Sequence, residues 1–136
     1  MRFIKIALIL GCFGLLTACS DSGGGSSSGG SGSATCSDIS GGYHGTFVDN
    51  CAGYNATGQL LLSLKSDCSF SGTSNYGVGN SGVLSSRNGS TLVGYGTTSG
   101  NGCGDFSINC NQSGNTLDCG YSYISGGGGS MNGTLQ

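Results

Sequence analysis

Proline, tryptophan and glutamate are absent from this 136-residue chain, and histidine occurs once. Lysine and arginine together number four, and charged residues are 7% of the total. So few cations cannot neutralise a run of phosphates, which argues against nucleic-acid binding and against electrostatic adhesion to anionic lipid. The single histidine, His44, alternates outward beside Thr46. A catalytic histidine needs a nucleophile and an orienting carboxylate around it, and no Gly-x-Ser-x-Gly elbow is present. The aspartates Asp38, Asp49, Asp67, Asp105 and Asp118 are scattered singly, mostly near turns, where Asp bonds its own backbone. They do not form the carboxylate pair of a glycosidase. No Cys-x-x-Cys pair exists, so a zinc site is not expected. Asp49-Asn50 lacks the spaced oxygens of a calcium loop. The run Gly126 to Gly129 has neither the lysine nor the following helix of a phosphate loop, and reads as a flexible hairpin tip. The expectation is therefore no enzyme, no catalytic residue, no metal and no cofactor.

Long apolar runs are also missing, and helical periodicity is absent beyond the first residues. Arg2 and Lys5 precede an apolar stretch from Ile6 to Leu16, followed by Leu16-Thr17-Ala18-Cys19. This order is that of a secretory signal, and the run is shorter than the 18 or so residues of a membrane-spanning helix. The last four residues resemble the lipobox of bacterial lipoproteins. The resemblance implies a signal peptide at 1–18, cleavage before Cys19, and diacylglycerol on that cysteine. It makes the membrane a partner through the lipid on Cys19. Ser20, rather than aspartate, follows the cysteine, which by resemblance favours the outer membrane over the inner. After cleavage two cations (Lys65, Arg87) face six aspartates, a charge of about −4.

Thirty glycines are what the chain has in plenty. Ser20 to Ser33 is almost pure Gly and Ser, so residues 19–35 read as a lipidated tether spanning roughly 20 Å. Residues 36–136 hold one domain, in which glycines fall between short segments of alternating polarity. About eight such segments predict an all-β antiparallel meander. An up-and-down barrel and a two-sheet sandwich are the two solutions. The barrel is preferred because closure removes edges that a thinly packed sheet protects poorly. Asn88-Gly89 suits a type I′ turn. The expected inward set is Tyr43, Phe47, Leu60, Leu62, Leu64, Phe70, Tyr76, Leu84, Val93, Tyr95, Phe106, Ile108, Leu117, Tyr121, Tyr123, Met131 and Leu135.

Cys12 leaves with the signal and Cys19 takes lipid, so six cysteines remain for a disulfide framework. With Gly114-Asn115 as a two-residue turn, Cys119 faces Cys110, Tyr121 faces Ile108 and Tyr123 faces Phe106. That register also gathers the apolar residues on one face, and a one-residue slip would reverse it. The pair Cys110–Cys119 follows. In an up-and-down arrangement Cys51 and Cys103 fall at one end, and Cys36 and Cys68 at the other. This suggests Cys51–Cys103 and Cys36–Cys68. Asn88-Gly-Ser-Thr-Leu92 recurs as Ser113-Gly-Asn-Thr-Leu117, by duplication or because two hairpins need the same turn.

Gly41 to Phe47 (Gly-x-Tyr-x-Gly-Thr-Phe) and Ser69 to Thr73 (Ser-Phe-Ser-Gly-Thr) resemble phrases of small glycine-rich barrel lipoproteins and, more faintly, of biotin-binding barrels. The latter build their site from tryptophans, absent here, so biotin is not expected. The reading is a non-catalytic binding module for a protein partner, inhibitor-like, or for a small ligand. Tyr54, beside Cys51, is the candidate binding residue. The alternatives are a structural or surface-display lipoprotein without a ligand and, behind it, a hydrolase.

Overall fold

Eight strands follow one another without a helix between them: β1 (Gly41–Cys51), β2 (Tyr54–Leu64), β3 (Ser69–Ser74), β4 (Gly79–Asn88), β5 (Thr91–Ser99), β6 (Asp105–Ser113), β7 (Thr116–Tyr123) and β8 (Gly127–Leu135). In the computed structural model, which describes residues 34–51 and 53–136, each strand pairs antiparallel with the next, and β8 closes onto β1. The architecture is an up-and-down β-barrel. Cys19 and the signal lie outside the described residues. No helix among the described residues is long and apolar enough to cross a membrane.

Three disulfides join Cys36 to Cys68, Cys51 to Cys103 and Cys110 to Cys119. The β6–β7 hairpin has the expected register, with Cys110 opposite Cys119, Ile108 opposite Tyr121 and Phe106 opposite Tyr123. His44 lies exposed on the outer face.

The β4–β5 hairpin corrects the sequence reading. Its two-residue turn is Gly89-Ser90, because Asn88 pairs directly with Thr91. Gly89 has φ 59°, while neither Asn88 nor Ser90 has positive φ. Glycine first with one positive φ is the signature of a type II′ turn, whereas type I′ needs two. Gly114-Asn115 has the same form, with Gly114 at φ 56°, and the two similar pentapeptides align glycine on glycine. Further along, the register shifts between Leu84 and Ser86. This β-bulge turns both Ser85 and Ser86 away from the barrel, opposite Val93. Turn and bulge together set Leu92, Gly94 and Gly96 inside. Leu92 is fully buried, and Val93 (40% exposed) and Tyr95 (62%) point out. Tyr76 is also outside the core, 61% exposed in the β3–β4 connection.

Glycines fill interior positions because aromatic rings lie over them. Phe47 is paired with Gly58, Phe70 with Gly82, Phe106 with Gly96 and Tyr121 with Gly129. A Cβ on Gly82 or Gly96 would stand 2.6 Å from the Cζ of the ring opposite it. Aromatic rings covering cross-strand glycines are a recognised way to pack a strongly curved sheet.

One end of the barrel is sealed. Cys36 and Ile39 are buried there, and the buried Tyr43 hydroxyl donates to the Ile39 carbonyl at 2.6 Å. Arg87 donates to both oxygens of Asp38, at 2.6 and 2.8 Å, and to Thr35 O at 3.0 Å. Just inside, Leu62, Leu64, Leu84, Ile108 and Leu117 leave a void of only about 10 Å³.

Acid should loosen this end. The Arg87 hydrogen bonds hold the Asp38 carboxyl below its ordinary value of 3.8. The Ser69 hydroxyl and amide do the same for Asp67, beside Cys68. A carboxylate with its pKa lowered by folding contributes stability above its unfolded pKa and loses it as pH falls through the folded value. Melting temperature should therefore be level above about pH 5 and fall below about pH 4. Asp38→Asn should remove part of that fall, as thermal melts across pH would show.

Candidate functional site

The opposite end is open. The β1–β2, β3–β4, β5–β6 and β7–β8 connections lie there, and Cys51–Cys103 ties the end of β1 to the β5–β6 connection. Inside lies a cavity of about 260 Å³. β1 contributes Phe47 and Asp49, β2 Ala56 and Leu60, and β3 Phe70 and Ser74. β4 adds Asn80, β6 Phe106 and Ile108, β7 Tyr121 and Tyr123, and β8 Met131. The wall is mainly apolar, with a few polar groups near the mouth, as in small-molecule sites generally.

Three of the lining rings, from β6 and β7, pack against one another. Phe106 lies 5.7 Å from Tyr121 and 6.0 Å from Tyr123, and the two tyrosines are 5.6 Å apart with planes at 75°. Edge-to-face contacts of this kind suit the ring quadrupoles. The cluster organises a carboxylate: Tyr121 OH donates to Asp49 Oδ1 at 3.1 Å, and Tyr123 OH to Asp49 Oδ2 at 3.3 Å. Burial first, then the Asp49 charge, pushes the Tyr123 phenol up to about 12, and raises Tyr121 in the same way. Both hydroxyls therefore stay protonated donors at neutral pH.

Gly129 makes this contact possible. Tyr121 pairs with Gly129, and Gly129 pairs with Asp49 on the far side. A Cβ at Gly129 would lie 2.6 Å from the Tyr121 hydroxyl oxygen. Only a residue without a side chain lets the phenol cross β8 to reach β1. The run Gly126 to Gly129 is thus not merely a hairpin tip, since Gly127–Gly129 belong to β8.

On the other wall, Asn80 Oδ1 is buried and has no hydrogen-bond partner. A buried acceptor left unpaired carries a desolvation cost of about 1–3 kcal/mol. Thr98 and Asn101 also line the cavity, and Asn101 Oδ1 accepts from Thr98 Oγ1 at 2.7 Å and from Cys103 N at 3.1 Å.

Tyr54 lies at the mouth, 80% exposed, and borders the cavity. With Tyr76 and Ile124, also exposed, it makes the rim of the open end apolar. Asp49 was not among the expected site residues. Its signal was present, since Tyr43, Gly45 and Phe47 alternate inward and Asp49 is the next position in that series. Among the described residues, no three His, Cys, Asp or Glu side chains cluster as metal ligands. The chain matches no protein-family model, and no curated protein matches it.

Proposed function

We propose that this protein is a non-catalytic binding module that takes a small ligand in the open end of its barrel. The observation that carries this reading is the apolar cavity of about 260 Å³, open at one end and furnished with only a few polar groups. An engineered cavity of about 150 Å³ is enough for benzene, so this one suits a molecule of roughly ten non-hydrogen atoms. Among the described residues Asp49 is the one acid on its wall, and no histidine joins it. That lining suits recognition better than acid–base or nucleophilic chemistry.

The proposal places the module in the bacterial cell envelope, outer rather than inner membrane, held by lipid on Cys19. Incorporation of labelled fatty acid, lost in Cys19→Ala, would test the anchor. Residues 34–40 lead into β1 at the sealed end, beside Cys36–Cys68, and the mouth opens at the opposite end.

Ala56→Trp tests the site. Ala56 is half-buried on the cavity wall, and an indole there would occupy most of the space. Titration with 2-phenylethanol, followed by tyrosine fluorescence or NMR, should show saturable binding that falls at least tenfold in Ala56→Trp. Absence of binding to the unaltered protein would shift the reading to a surface-display protein. Binding undiminished in the variant would move the site elsewhere, with the Tyr54, Tyr76 and Ile124 rim the next surface to test.

A further inference from the structure

We propose that the ligand is an organic cation: a primary ammonium carried on an apolar, preferably aromatic, body of roughly ten non-hydrogen atoms. This rests on the reading of the cavity as a small-ligand site and adds the chemistry of what fills it.

Two acceptors in the cavity have capacity to spare, Asp49 and Asn80 Oδ1. A carboxylate offers about four lone-pair positions, and the two tyrosine hydroxyls occupy two at Asp49. Asn80 Oδ1 accepts from nothing. A ligand that brings donors satisfies both, whereas a ligand that brings acceptors leaves Asn80 unpaired and confronts the Asp49 charge. An ammonium has three donors and no acceptor.

Charge points the same way. Among the described residues the lysine and the arginine both lie at the sealed end, Lys65 beside the β2–β3 turn and Arg87 on Asp38. Asp49 and Asp105 lie at the open end, Asp49 inside the cavity and Asp105 at the start of β6. The mouth therefore presents negative charge without a neighbouring protein cation, and an apolar-walled cleft focuses such a field on an entering ion. The faces of Phe106, Tyr121 and Tyr123 add attraction for a cation within about 6 Å of a ring.

Three probes of nearly equal size separate the possibilities: phenethylammonium, 2-phenylethanol and 3-phenylpropionate. They are titrated into the oxidised full chain and into Asp49→Asn, which keeps the shape of the side chain, removes its charge and retains one acceptor oxygen for the tyrosines. Phenethylammonium should bind the unaltered protein at least tenfold more tightly than the alcohol, with the carboxylate weakest. In Asp49→Asn the preference for the amine over the alcohol should fall below about twofold. Equal binding of amine and alcohol, or an amine preference that survives Asp49→Asn, would overturn the cation proposal and leave the small-ligand reading standing. Failure of all three probes on the unaltered protein would overturn both.

Discussion

Full reduction of the three disulfides should unfold the barrel at 25 °C and neutral pH. The cysteine pairs close loops with sequence separations of 32, 52 and 9 residues. In chain-entropy terms such cross-links contribute about 3.7, about 4 and about 2.6 kcal/mol. Together they match the net stability of roughly 5–15 kcal/mol expected of a domain this size. The remainder of the fold has little in reserve, because many inward positions are glycines, which lose the most freedom on folding and bury no side chain of their own. Circular dichroism with and without a strong reductant measures the effect, and an unchanged melt would refute it. The individual bonds should rank by loop length. Cys51→Ala with Cys103→Ala should cost most, because it frees the longest loop and unties the end of β1 from the β5–β6 connection at the open end. Cys110→Ala with Cys119→Ala should cost least, because the Gly114-Asn115 turn already holds that hairpin in register.

Gly82→Val should be about as damaging as the loss of one disulfide, lowering stability by about 3 kcal/mol and the melting temperature by roughly 12–24 °C. A Cβ at Gly82 would come within 2.6 Å of both Gly96 Cα and Phe70 Cζ, and closer still to the Tyr95 carbonyl oxygen. Two of these are backbone atoms of β5, so relief requires the strands to part. The third is a ring that already occupies the space. Gly120→Val is the matching control. Gly120 is exposed in β7, and a Cβ there meets nothing within 4 Å. Valine at an open strand position should stabilise by about 0.5–1 kcal/mol, since glycine loses more freedom on folding and valine suits a strand. Opposite signs for one substitution at two glycines would show that interior glycines are there to make room. Similar effects at both would show that glycine content alone is at issue.

The two hairpins explain why one was legible in the sequence and the other was not. In β6–β7, turn chemistry and apolar alternation lead to the same register, so Cys110, Ile108 and Phe106 find their partners without a structure. In β4–β5, a turn one residue away from Asn88-Gly89 and a bulge at Ser85 intervene. Neither changes composition, yet each shifts the face by one residue. Val93 and Tyr95 look like core by hydrophobicity. Gly94 and Gly96 do not, and they are the residues inside. A glycine has no side chain to signal its face, and its reason for being there, a ring such as Phe106, is carried by another strand.

The candidate site divides in the same way. Tyr121 and Tyr123 were readable as inward, and Asp49 was reachable by extending the alternation of β1, although its place near a turn argued for local hydrogen bonding instead. The Tyr121–Asp49 bond joins residues 72 apart across the seam where β8 closes on β1.

Sequence alone determined the all-β class, a meander of about eight strands and the Cys110–Cys119 pair, and suggested the other two pairs, because period-two alternation, turn residues and alternating loop ends are local or nearly local rules. Tertiary structure alone decided that one end is sealed and the other hollow, that Gly129 is the gap through which a phenol reaches Asp49, and that Asn80 Oδ1 is left without a donor. Those features depend on which residues meet after the sheet has curved and closed, and no single strand carries that information.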